Sequence, residues 1–189
     1  MYARDIDARA LHFDFGQGLV NDNLLFVDRQ TSSVWSQLRG SAVAGPLAGT
    51  PLVSLPAMQS TWAFWRTRHP DTLVWVPQSG RRIAYHYRSR RPGAPSPDAK
   101  PTAHDTSALG LGLAIGDDAM FFPLDALERA GDPLRISVGG RPVIIYHDRT
   151  GLTAWAEDEA GTLLPAVLAY DFGWQRFFPQ TRRWPPQTP

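Results

Sequence analysis

The chain opens on short apolar runs broken by polar punctuation, the period-two pattern of strands joined by tight turns. Residues 2–4 and 10–15 flank Asp5, Ile6 and Asp7 and predict a hairpin. Residues 24–27 and 34–38 flank a polar connection from Asp28 to Ser32, so a second antiparallel pair is expected there. Residues 41–55 carry Gly45, Pro46, Gly49 and Pro51, and because proline cannot donate to a ladder this run belongs at a sheet edge. The period then changes. Met58, Trp62, Trp65 and Arg66 fall on one helical face, Ser60 or Thr61 can cap the start and Pro70 stops the run, which predicts a helix over 61–69. Strand character returns at 72–76 and 83–87.

From residue 88 to 107 the composition shifts to Pro, Ser, Ala and Arg, and four prolines at 92, 95, 97 and 101 prevent regular pairing, so 88–108 reads as a linker or long loop. Beyond it, runs at 109–115 and 119–122 bracket the turn residues Gly116, Asp117 and Asp118. Pro123 opens a short helix through Ala130. Gly139 and Gly140 join 136–138 to 142–146 in a hairpin, and 153–157 is a last strand. Residues 166–178 predict a helix ended by Pro179, with Gly173 unfavourable inside it.

Trp65, Pro70, Thr72 and Trp75 recur 109 positions later as Trp174, Pro179, Thr181 and Trp184. Leu55, Pro56 and Ala57 recur at the same offset as Leu164, Pro165 and Ala166, so seven of the 21 positions from 55 to 75 are identical without a gap. Average residue usage gives about one or two such matches by chance. The pattern points to a β-rich α+β protein of two related strand-and-helix units from an internal duplication, the first incomplete. The units are 1–87 and 109–189, with 88–108 between them. In each, Leu-Pro-Ala leads into the helix, the tryptophan anchors the core and the proline ends the helix.

Composition narrows the chemistry. A hydrophobic fraction of 43% with seven tryptophans is far from a disordered composition. No apolar run approaches the roughly 18 residues needed to span a bilayer, and no signal peptide follows Met1, so the chain as written reads as cytoplasmic. The absence of cysteine excludes disulfides, thiolate nucleophiles and thiolate metal sites. Nineteen basic against eighteen acidic residues give a formal charge of +1 and no general field toward nucleic acid or membrane. Lys100 is the only lysine and lies in the proline-rich stretch, which argues against Schiff-base chemistry.

The stretches Asn23-Leu-Leu-Phe-Val-Asp28-Arg29, Trp35-Ser36-Gln37, Gly45-Pro-Leu-Ala-Gly49 and Trp62-Ala-Phe-Trp65, followed by His69-Pro-Asp-Thr72, resemble a bacterial family catalogued as domain of unknown function 3179. Leu109-Gly-Leu-Gly-Leu-Ala-Ile115, Phe122-Pro-Leu and Val138-Gly-Gly140 are similar to its later half more loosely. The resemblance implies no activity. It does imply a Cys-Pro-Leu-Cys-Gly-Thr segment just ahead of Met1, which this chain lacks, and an association with the cell envelope where an export signal precedes it. In the second copy that place reads Tyr146-His147-Asp148-Arg149-Thr150-Gly151, with His147 and Thr150 standing roughly where the cysteines would be.

No reactive constellation stands out. Gly110, Gly112 and Gly116 mimic a dinucleotide loop, but with three residues where the fingerprint has two and no following helix. His12, His69, His86, His104 and His147 form no close pair at ligand spacing, so neither a metal nor a cofactor is expected. No serine sits in a nucleophile elbow; Ser36 lies between Trp35 and Gln37, which on a strand would share a face opposite it. Asp14, Asp22, Asp28, Glu128 and Glu157 define no acid and base pair, and Asp28 with Arg29 supports a turn. Arg81, Arg82, Arg88, Arg90 and Arg91, interleaved with Tyr85 and Tyr87, have a composition that single-stranded nucleic acid could use, whereas the near-neutral charge favours a solvated arm. The expected function is a non-catalytic binding or interaction module for a small molecule or protein, with Trp35, Gln37 and His69 as binding residues. The rival is a divergent form of an enzyme or metal or redox protein whose cysteine site lies upstream of Met1. Nucleic-acid binding through the arginine-rich stretch comes third.

Overall fold

A computed structural model of the chain describes residues 1–20, 23–75 and 108–186. The fold is α+β and rich in strand. The expected 83–87 strand, the arginine-rich stretch from Arg81 to Arg91 and all of the 88–108 linker except Ala108 lie outside the described residues.

The N-terminal hairpin pairs β1 (Asp5–Ile6) with β2 (Arg9–Ala10). It turns at Asp7 and Ala8, both at positive φ (48° and 63°), instead of looping over residues 5–7 as expected. Two consecutive left-handed residues make the tight turn that matches strand twist, and Asp tolerates that region. Tyr2, placed in the expected first strand, makes only an isolated bridge to Ser54.

Four antiparallel strands follow in sequence order: β3 (Phe13–Val20), β4 (Asn23–Asp28), β5 (Val34–Ser36) and β6 (Ser41–Ala44). The predicted turn after Asp28 joins β4 to β5, and the glycine- and proline-bearing run supplies the edge strand β6. Strand β5 stops at Ser36, so the expected sharing of a face by Trp35 and Gln37 does not arise: Trp35 and Ser36 are buried and Gln37 begins an exposed turn. Leu11, Trp35 and Ala42 form a small core on one side of this sheet.

Helix α1 (Trp62–Arg68) matches its predicted span, with Thr61 Oγ1 accepting from Phe64 N at 3.3 Å as the N-cap. Residues 72–75, expected as a strand, pair with none, and Val76 lies outside the described residues. The helix is seated on the second half of the chain. Thr61 N donates to Gly151 O at 2.9 Å, Phe64 meets the Trp155 ring at 6.1 Å, and the Arg68 guanidinium lies 4.8 Å above Trp155. A Cβ at Gly151 would come within 2.7 Å of Phe64, so this seat needs glycine.

The second half contains β7 (Leu109–Ile115), β8 (Asp118–Pro123), α2 (Leu124–Ala130), β9 (Leu134–Val138), β10 (Arg141–Asp148), β11 (Thr153–Glu157), β12 (Ala166–Tyr170), α3 (Asp171–Phe177) and β13 (Arg182–Arg183). They build one sheet ordered β12-β7-β8-β13 and another ordered β11-β10-β9. The main core lies between these sheets and α2, around Leu111, Leu113, Phe122, Leu127, Val143 and Ile145.

The helix predicted over 166–178 is a correction: its first five residues form β12, and only α3 is helical. Ala-Val-Leu-Ala-Tyr finds a ladder along β7, and that tertiary pairing outweighs a weak helical preference. The glycine run reads as strand for a packing reason. Leu111 and Leu113 enter the main core, while on the other face a Cβ at Gly110 would lie 2.5 Å from the Phe121 ring and one at Gly112 would lie 2.4 Å from the Trp174 ring of α3.

Two helix ends 109 residues apart share one geometry. Trp65 Nε1 donates to Thr72 Oγ1 at 2.9 Å and Trp174 Nε1 to Thr181 Oγ1 at 2.8 Å. The C-cap residues His69 and Phe178 have φ of −131° and −127° with ψ of 71° in both, and each ring centre lies 4.1 Å from that of its tryptophan, tilted by 35° and 25°.

Candidate functional site

The loop between β4 and β5 is organised by one buried carboxylate. Asp28 has no exposed surface and accepts from Trp35 Nε1 at 2.9 Å, Thr31 N at 2.6 Å, Thr31 Oγ1 at 2.8 Å and Ser33 N at 3.2 Å. Burial alone would push this carboxyl up, but the converging donors outweigh it and hold it below the usual carboxylate range. Ser33 Oγ in turn accepts from Leu47 N at 3.0 Å, tying in the loop after β6. The donors that converge on Asp28 all come from its own loop and from Trp35. Asp14 and Arg29 form a separate exposed ion pair at 2.6 Å.

Trp35 is buried to 1% exposure, with Phe13 edge-on at 5.7 Å. Its indole edge lines a hollow of about 250 Å³ that Gln37, Tyr2, Phe13 and Leu52 also border. Tyr2 forms the wall between this hollow and a larger one: its hydroxyl donates to Gln37 O at 2.6 Å, and burial raises its pKa. The ring lies against Gly40, where φ is +65° and a Cβ would meet Tyr2 Cε1 at 2.8 Å.

The larger hollow is a cleft of about 390 Å³ where the two halves of the chain face each other. Tyr2, Asn23, Gln37, Met58 and Gln59 come from the first half; β12 and Gly173 come from the second. Among the described residues no charged side chain lines it. Asn23 Oδ1 is buried without a hydrogen-bond partner, as is Thr153 Oγ1 elsewhere in the fold.

Strand β12 is the outermost of its sheet, and among the described residues no strand pairs with its far edge. Asp171 N donates to Ala108 O at 2.9 Å in continuation of the β7–β12 register. The alternation of antiparallel pairs then directs the backbone groups of Ala169 and Val167 at β7 and those of Leu168 and Ala166 away from it, toward the cleft. Ala166 N is taken by Leu164 O at 2.9 Å. The Leu168 N–H and C=O are left facing the cleft.

Of the three residues expected to bind a ligand, Trp35 and Gln37 are brought together around the smaller hollow, and Gln37 also borders the cleft. His69 stands apart, exposed at the C-cap of α1 with its ring over Trp65. Sequence reasoning missed Tyr2, Asn23, Gln59 and the edge of β12. The sequence signal nearest to it is the Leu-Pro-Ala match at 164–166, which leads into a strand and not into a helix. Where the resemblance would place cysteines, His147 N donates to Asp132 Oδ1 at 3.1 Å, and Asp148 Oδ1 accepts from Thr150 Oγ1 and Gly151 N at 2.6 Å each. Those turn donors are the cause of the lowered Asp148 pKa. Among the described residues no three His, Cys, Asp or Glu side chains are grouped to hold a metal, and no helix is long and apolar enough to cross a membrane.

Comparison with known proteins matches no curated protein and no solved structure. The family model described as "Protein of unknown function (DUF3179)" matches residues 1–164, and the chain belongs to that family.

Proposed function

We propose that the protein is a non-catalytic binding module and that its ligand site is the cleft along β12, with Gln37 at the rim and Trp35 holding the loop that carries it. The observation behind this reading is the cleft's lining: amides from Asn23, Gln37 and Gln59 with apolar walls and, among the described residues, no charged side chain. Such a surface suits an uncharged ligand, because a buried unpaired charge is costly there. Titrating the labelled protein with propionamide, N-methylacetamide and glycerol tests it by amide NMR. Shifts grouped at Gln37, Gln59 and Leu168, weakened by Gln37→Ala, are the expected result; shifts scattered over the surface would overturn the reading.

A second reading, that the chain is the later part of an enzyme or metal or redox protein with cysteines upstream of Met1, draws support from the two matching helix ends. We read them as copies of one duplicated unit. After α3, Arg182 and Arg183 pair with β8, Trp184 N donates to Phe121 O at 2.9 Å, and the Trp184 ring packs against Phe122. After α1, Leu73 and Trp75 are 94% and 83% exposed, and among the described residues no strand lies beside them as β8 lies beside β13. Intact mass, N-terminal sequencing and elemental analysis of the natural product decide this. A natural chain starting at Met1 and carrying no metal would dispose of it.

A further inference from the structure

We infer that the apolar segment after α1, Leu73 to Trp75, takes an extended apolar strand from a second polypeptide, laid parallel to it as β8 lies along β13. The inference goes beyond the cleft reading and rests only on the correspondence between the two copies. That correspondence extends further than the clasp. Leu55 N donates to Met1 O at 2.9 Å as Leu164 N does to Ala156 O at 2.8 Å. Ala3 N donates to Val53 O at 2.9 Å as Asp158 N does to Thr162 O at 3.0 Å, and between them the bridge of Tyr2 with Ser54 matches that of Glu157 with Leu163. Beyond the helices, Thr72 N donates to His69 O at 3.1 Å as Thr181 N does to Phe178 O at 2.9 Å. The chain leaves both units in the same way, so Leu73, Val74 and Trp75 stand where Arg182, Arg183 and Trp184 stand.

The second copy shows what such an exit meets. Arg183 pairs in parallel with Phe121 of β8, Trp184 N donates to Phe121 O, and the Trp184 ring packs against Phe122. Two ion pairs close the arrangement, Arg182 with Asp118 of β8 at 2.6 Å and Arg183 with Asp171 at the start of α3. In the first copy Leu73 replaces Arg182, Val74 replaces Arg183 and Trp62 replaces Asp171. Charges give way to apolar side chains at all of these positions, yet Trp62, Leu73, Val74 and Trp75 are each more than half exposed. Clustered apolar side chains open to water mark an interaction surface. The backbone of 72–75 pairs with no strand among the described residues, which leaves it a template for strand addition. The replacements also specify the occupant. It presents an apolar residue where β8 presents Asp118, because a carboxylate there would be desolvated against Leu73 without a partner. An aromatic ring follows, to meet Trp75 as Phe122 meets Trp184. The β8 of another copy cannot serve, since β7 and β13 occupy both its edges.

The test uses the full chain, labelled with ¹⁵N, and three acetylated and amidated peptides of residues 116–123: the parent sequence, its Asp118→Leu form, and that form N-methylated at Phe121. The Asp118→Leu peptide is expected to slow hydrogen exchange at the Trp75 amide and to bind at least about tenfold more tightly than the parent. In a parallel pair the residue opposite Val74 directs both its N–H and its C=O at the neighbouring strand, so the N-methylated peptide should lose binding. Leu73 is 94% exposed, so Leu73→Arg leaves the fold intact; it should abolish the preference by recreating the contact that Arg182 makes with Asp118. Any one of four results would overturn the inference: an Asp118→Leu peptide that binds no more tightly than the parent, equal binding after N-methylation, a preference unmoved by Leu73→Arg, or binding that leaves the Trp75 amide unprotected. Small uncharged amides that still shift Gln37 and Gln59 would then leave the cleft reading standing.

Discussion

The carboxylate of Asp28 ties the turn after β4 to the indole on β5. It collects the Trp35 indole, the Thr31 backbone and hydroxyl and the Ser33 N–H in a site closed to water. Asp28→Ala would leave those donors buried and unmatched, and it is expected to cost about 3 kcal/mol, read as a lower urea midpoint with an unchanged slope. The carboxyl is held below its unfolded value of about 4, so its contribution is fully present above that pH and is lost as the pH falls through the lower folded value. Asp118, beside Arg182 and Gly139 N, and Asp148, beside Thr150 and Gly151 N, act in the same sense. Stability measured by urea unfolding should therefore decline on acidification below about pH 4, and less steeply in Asp28→Asn. The sequence singled out Asp28 as a turn residue and Trp35 as a ligand-binding candidate. That one holds the other could not be read, because the strand ends at Ser36 and burial, not alternation, fixes where the indole points.

At the scale of elements, α1 and α3 carry the same tryptophan–threonine clasp in different surroundings. Trp174 is 2% exposed and lies on Gly112, whereas Trp65 is half-buried on a helix with no buried residue. Trp174→Ala should cost about 3–5 kcal/mol and Trp65→Ala clearly less, since the lost area is partly wet already. Thr181→Val should cost about 1–2 kcal/mol by stranding a buried indole N–H, while Thr72→Val should be nearly neutral because water can replace the hydroxyl. Gly112→Ala drives a Cβ to 2.4 Å from the Trp174 ring and should lower stability by about 1–3 kcal/mol, checked by thermal unfolding. The tryptophans, prolines and threonines of these clasps were legible as a repeat. The strand in front of α3 was not, because an Ala-Val-Leu-Ala-Tyr run suits either state until a neighbouring edge is offered.

For the whole molecule, the two halves are joined by α1 on Gly151 and Trp155 and by the cleft between β12 and the first sheet. The second half holds the larger core, built between its own two sheets and α2. Residues 108–186 expressed alone are therefore expected to keep native-like circular dichroism, with Trp155 emission shifted to the red once Phe64 and Arg68 are gone. A random-coil spectrum would show that the halves fold only together. By itself the sequence determined the strand-rich α+β class, the strands from β7 to β11, and helix α1 with a cap at Ser60 or Thr61. These follow from local periodicity, turn residues and composition. Only the tertiary structure decided that residues 166–170 are a strand, that Gly112 is a platform for Trp174, and that Gln37, Asn23 and β12 border one cleft. Those outcomes depend on which surfaces the halves bury against each other, and such long-range pairings leave no mark on the local pattern.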